Sequence, residues 1–116
     1  MGALSKKLRN CGGNGYKGIL HWCPGCKEPH AIWTEAPVGR PTWTWDGNVD
    51  APTCAPSIRC FTRYDQGGEK LLPNNEERTL CHYFLQAGKI NFCGDCVHEL
   101  NGQQGVELPD FPHAGD

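Results

Sequence analysis

The sequence predicts a small, mainly β domain of short hairpins joined by long loops. Three observations carry this. Apolar residues recur at period 2 in runs such as TWTW (residues 42–45) and SIRCFTRY (57–64), with no long stretch at helical period. Gly and Pro make up 15 + 9 = 24 of the 116 residues, so turns are frequent. Hydrophobic residues are only 38%, a thin core that calls for a disulfide, metal or partner as a staple.

The elements follow in chain order. Residues 1–17 are basic and then glycine-rich (CGGNG), which predicts a flexible arm ahead of one domain spanning 18–116. GILHWC (18–23) and PHAIWTE (29–35) read as two strands around the Pro24-Gly25 turn, a hairpin with Cys23 and Cys26 at its tip. Trp43 and Trp45 alternate with threonines as on a half-buried strand, and Asp46-Gly47-Asn48 is a turn. DAPTCAPS (50–57) carries two prolines and suits an edge or loop, not a central strand. SIRCFTRY is a further strand, and GGEKLLPNNEE a surface loop. RTLCHYFLQAGKINFCGD is the clearest hairpin, and the tail holds one short helical turn and one short strand.

Net charge is −2, without the basic excess of a strong electrostatic nucleic-acid binder. MGALSKKLRNCGG has no apolar signal region, residue 6 is Lys where a myristoylation signal needs Ser or Thr, and no apolar run approaches a bilayer span. The expectation is a soluble protein in a reducing compartment, neither secreted nor membrane-bound. There, eight cysteines point to metal or redox work before structural disulfides.

Two CxxC units, Cys23–Cys26 and Cys93–Cys96, each follow a predicted strand. Zinc takes four N or S ligands, and a CxxC turn lets two sulfurs reach one ion. This makes the domain zinc-ribbon-like, with a sheet inserted between the knuckles, because loop closure grows costly only slowly with length. With Ala87-Gly88 as a two-residue turn, Tyr83 faces Phe92, Leu85 faces Ile90 and His82 faces Cys93. His82 and Cys93 then share one face, close enough for one metal, and Cys81 points into the apolar face. A bulge would reverse this.

A redox dithiol would need the CxxC to open a helix, and KEPHAIW is not helical in pattern. A disulfide framework is the other weaker reading. His30, four residues past Cys26, reads first as a loop histidine and second as a ligand, His98 as a weaker candidate ligand or a donor that supports one, and His21 and His113 receive no role. Cys54 and Cys60 read as small buried hydrophobes and Cys11 as a free thiol. The four tryptophans read mainly as core.

Together HWCPGC, WTWDGNVDAPTCAPSI, CHYFLQAGKINFCGDCVHEL and GVELPDF resemble small phage- and prophage-encoded proteins of unknown function, often mislabelled "ammonia monooxygenase". The resemblance covers residues 20 to 112 or so. No copper or di-iron ligand set supports the oxygenase label. Relatives commonly lack a cysteine at position 93 and carry an aromatic at 54. The resemblance therefore implies a ligand set of Cys23, Cys26, Cys96 and His82, with Cys93 as the alternate fourth ligand. It also implies a phage origin and a place in the host cytoplasm or the virion.

The expected function is a non-catalytic phage accessory protein, held by one structural zinc and binding an unidentified host or phage protein. The expectation leans against an enzyme. One alternative is a metal-dependent hydrolase, with three ligands from Cys23, Cys26, Cys96 and His82, and Asp95, His98 or Glu99 as base. The blander reading of Asp95 is a turn cap. The other alternative is a nucleic-acid-binding zinc-ribbon module using Lys6, Lys7, Arg9 and Lys17 with stacking tryptophans.

Overall fold

The computed structural model describes residues 2–112; His113 lies outside them. The chain is mainly β, as the periodicity predicts. Strands β1 (Arg9–Gly13), β2 (Tyr16–Cys23) and β3 (Glu28–Glu35) form one antiparallel sheet in that order. Strands β4 (Thr44–Trp45), β5 (Cys54–Thr62), β6 (Arg78–Gln86), β7 (Lys89–Phe92) and β8 (Val106–Glu107) form a second, also in chain order. Among the described residues helix is confined to one 3-10 turn at Pro73–Asn75. No described helix is long and apolar enough to cross a membrane.

Both hairpins form where the turn chemistry puts them. β2 and β3 meet with Cys23 opposite Glu28, so the CPGC segment is the tip. β6 and β7 pair Tyr83 with Phe92, Leu85 with Ile90 and Gln86 with Lys89. Ala87 (φ 48°) and Gly88 (φ 74°) both take the left-handed conformation that matches a two-residue turn to strand twist. A side chain on Gly88 would also meet Ala51 Cα at 2.9 Å.

The core is one cluster shared by both sheets. Ile19 and Ile32 come from the first, and Ile58, Tyr83, Leu85, Ile90 and Phe92 from the second. Each fully buried side chain of this size contributes roughly 1.5–3 kcal/mol by leaving water. Trp43 and Trp45 pack against this core while remaining half-buried.

Three elements differ from expectation. Residues 9–13 are not a loose arm: they pair along β2, and Leu8 just before them is fully buried. Burial of a leucine outweighs the glycine-rich composition that follows it. DAPTCAPS is not an edge, because β5 begins at Cys54 and lies between β4 and β6. Its second proline is accommodated by an irregularity: Cys54 pairs with Leu85 but Ile58 with Tyr83, so residues 55–57 bulge against Phe84 alone. The tail has its short strand, β8, but only turns and bends where a helical turn was expected.

Candidate active site and thiol cluster

Strand alternation sends Cys81 to the inner face of β6 and His82 to the outer face. Cys81 is fully buried. The His82 side chain keeps 27% of its exposure. These two neighbours organise two different sites.

On the outer face, His82 is held between two groups. Its Nε2 lies 3.1 Å from Ser57 Oγ. Its Nδ1 lies 3.2 Å from both carboxylate oxygens of Asp95. The arrangement matches the geometry of a relay in which a hydroxyl, an imidazole and a carboxylate are linked in series, a constellation recognised by geometry and not by chain order. The bulge of β5 aims Ser57 at the ring, and Trp43 Nε1 donates to Ser57 O at 3.0 Å, tying that bulge down. The turn after β7 aims Asp95. Cys93 N donates to His82 O (2.9 Å), Val97 N to Leu80 O (3.0 Å) and Cys96 N to Asn101 Oδ1 (2.7 Å). His82 N donates to Cys96 Sγ at 3.3 Å, so the turn grips the backbone of the residue it serves.

On the inner face, Cys23, Cys26, His30 and Cys81 place their donor atoms within 4.8 Å of one another. Cys26 N donates to Cys23 Sγ at 3.4 Å, closing the CPGC turn. His30 stands opposite His21 across the hairpin, and its Nδ1 lies 3.3 Å from Tyr83 Oη. Its Nε2 is buried without a hydrogen-bond partner. Burial holds His30 down at about 4, with His98 adding to the shift, and His21 at about 3, with His30 adding. Both rings are therefore neutral near pH 7, as a metal-binding imidazole must be.

The thiols disfavour multiple charges. A hydrogen bond from Cys81, with smaller help from nearby backbone N–H groups, holds Cys23 down at about 6 against burial. The same contact pushes Cys81 up, and burial followed by the Cys23 charge pushes Cys26 to about 12. The cluster admits one thiolate readily and resists the next, a balance that a bound dication reverses. Cys81 also groups with Cys96 and His98, with His98 Nε2 3.4 Å from Cys81 Sγ. The His98 ring lies directly against Gly25, so a side chain at this position of the CPGC turn would have to displace the ring.

The expected ligands thus divide. Cys23 and Cys26 gather with Cys81 and His30, and Cys96 with Cys81 and His98. His82 and Cys93 gather with Asp95. His82 turns to Ser57 and Asp95 because it is on the opposite face from the buried thiols. The zinc-ribbon expectation is corrected here, since the second CxxC unit is divided between two groups: Cys96 joins Cys81 and His98, while Cys93 joins His82 and Asp95. Ser57 carried no sequence signal: CAPSI lacks the glycines of a nucleophile elbow, and its aim depends on the bulge. Asp95 was visible as a candidate base, though the cap reading stood ahead of it. Cys81 was placed on the apolar face by register but not recognised as a ligand.

No curated protein and no solved structure matches the chain. One family model matches residues 5–93, which is 89 of 116 residues, and its description is a bacterial ubiquitination-like system serine protease. The matched span includes Ser57 and His82 and stops two residues before Asp95. A protease family overturns the expected non-catalytic phage accessory protein. It likewise displaces the metal-dependent hydrolase and nucleic-acid-binding alternatives. Ser57 on β5, within hydrogen-bond distance of His82 on β6, is the candidate for the serine that this description names, and the chain belongs to the BubE family.

Proposed function

We propose that this protein is a serine protease of a bacterial ubiquitination-like system, with Ser57 as nucleophile, His82 as general base and Asp95 as the group that orients it. The observation that carries the reading is the unbroken relay from Ser57 Oγ to His82 Nε2 (3.1 Å) and from His82 Nδ1 to Asp95 (3.2 Å). Ser57 Oγ attacks the acyl carbon of the scissile bond while its proton passes to Nε2. The leaving amine takes that proton as the tetrahedral intermediate collapses to an acyl-enzyme. Water then gives a proton to Nε2 and attacks, and the proton returns to Ser57 Oγ as the acid leaves. Asp95 keeps the Nδ1–H tautomer, without which Nε2 cannot accept. The protein partner is the substrate: a ubiquitin-like modifier, cut at the carbonyl that joins it to an extension or a target.

One structural zinc held by Cys23, Cys26, Cys81 and His30 is part of the same proposal. Three soft sulfurs and a neutral imidazole suit zinc. Bound there, zinc would supply cross-linking between the sheets and no chemistry. Eight unpaired cysteines support action in the reducing cytoplasm.

A fluorophosphonate probe tests the nucleophile. Covalent labelling mapped to Ser57, absent in Ser57→Ala and in His82→Ala, is expected. Labelling of another residue, or of the Ser57→Ala protein at the wild-type rate, would refute the assignment.

A further inference from the structure

Beside the relay sits a thiol that the proposed chemistry does not use. Cys93 stands one step beyond the Tyr83–Phe92 pair, directly across from His82, and its amide bonds His82 O at 2.9 Å. Its sulfur, one His82 ring nitrogen and a carboxylate oxygen of Asp95 lie within 4.8 Å of one another. The group is open to water: Asp95 keeps 50% of its side-chain exposure and His82 27%, and Cys93 is only partly buried.

We propose that Cys93, His82 and Asp95 form a second, inhibitory metal site that takes a divalent transition cation of the zinc type and switches the protease off. A thiolate, an imidazole and a carboxylate match that ion class, whereas calcium or magnesium would call for oxygen donors. Three protein ligands leave a fourth position for water, unlike the closed inner cluster. In a tetrahedral site such donors sit about 3.3–3.6 Å apart, given the usual zinc–ligand bond lengths. Nδ1 and the Asp95 oxygens already stand at 3.2 Å, so the main movement is a swing of the Cys93 side chain.

The mode of inhibition follows from the proton count. Binding removes one proton from the Cys93 thiol to solvent. It also displaces the proton from His82 Nδ1, which is recovered at Nε2 through water. The ring is then metallated on one side and protonated on the other. An Nε2–H cannot accept the Ser57 proton, and the Asp95 carboxylate is occupied by the ion. Base and orienting group are lost together, while Ser57 stays in place. Dissociation of the ion restores the working tautomer.

This effect on activity rests on the protease reading, but the binding does not. The test uses protein as purified, its resident metal content first measured by elemental analysis. Zn2+ is titrated while the rate of fluorophosphonate labelling is followed, in wild type and in Cys93→Ser and Cys93→Ala. Without added metal all three are expected to label at similar rates. Micromolar Zn2+ is expected to slow the wild type and to be reversed by dilution. The half-inhibiting concentration should rise by roughly tenfold or more in both variants, since losing a direct ligand costs at least what losing its supporting group does. Inhibition at the same zinc concentration in all three would overturn the proposal. Added Co2+ separates the two readings. A cobalt–thiolate absorption band present in wild type and absent from both Cys93 variants supports the site even if no labelling occurs, and a band unchanged in them sinks it.

Discussion

Cys81 and His82 are adjacent on β6 yet belong to opposite regimes. Cys81 lies fully buried in a cluster where each added thiolate is resisted by those already there. His82 lies on the outer face, where water reaches the relay it serves. Period-2 alternation is enough to separate them, and it lets one strand join a stability device to a chemical one. The arrangement is strict, because a one-residue slip of β6 would exchange the two faces. The expected outcomes below differ according to which face is altered.

The largest effect is expected on the outer face. Ser57→Ala should lower turnover by roughly 10⁵–10⁶-fold, as removal of a nucleophile from a triad does, while the thermal midpoint moves by only a few degrees. Asp95→Asn should lower it by about 10⁴-fold, because the amide favours the wrong imidazole tautomer. Kinetics paired with thermal unfolding would check both. Substantial unfolding of Ser57→Ala would break the comparison, since the outer face would then be holding the fold.

The inner face should behave in the reverse way. Cys81→Ala, or strong chelation of the wild type, is expected to release metal and cost several kcal/mol of stability, with activity lost only because the fold is lost. Elemental analysis alongside circular dichroism reads both. Ser57→Ala should keep its metal. A Cys81→Ala protein that retains fold, metal and activity would remove the inner half of the contrast.

What the sequence made legible follows the same division. Periodic hydrophobicity and turn residues gave the β class, the CPGC hairpin tip and the register of β6 on β7. From that register came the buried position of Cys81 and the closeness of His82 to Cys93. All of this is local or one hairpin away. The relay was not legible because Ser57 and His82 are 25 residues apart and meet only through a bulge that two prolines disguised as a loop. The inner cluster was half legible: the CxxC motif announced Cys23 and Cys26, and His30 lies on the same hairpin, but Cys81 joins them only through the packing of one sheet on the other. Such packing leaves no spacing in the chain to read.

The smallest expected effect tests the bulge itself. Trp43 Nε1 donates to Ser57 O at 3.0 Å, whereas Trp45 Nε1 donates to Asn48 O at 3.2 Å, away from the nucleophile. Replacing either indole by phenyl removes one hydrogen bond, a loss of about 1 kcal/mol in stability for each. Only Trp43→Phe frees the segment that aims Ser57. A shift of a fraction of an ångström between nucleophile and base costs rate well beyond its cost in stability, so kcat should fall by roughly tenfold in Trp43→Phe and stay near wild type in Trp45→Phe. KM should change little in both. Urea unfolding would show the two variants equally stable, and kinetics would show them unequal. Equal kinetics would mean that the bulge holds Ser57 without the indole, and that the outer face is as rigid as the core beneath it.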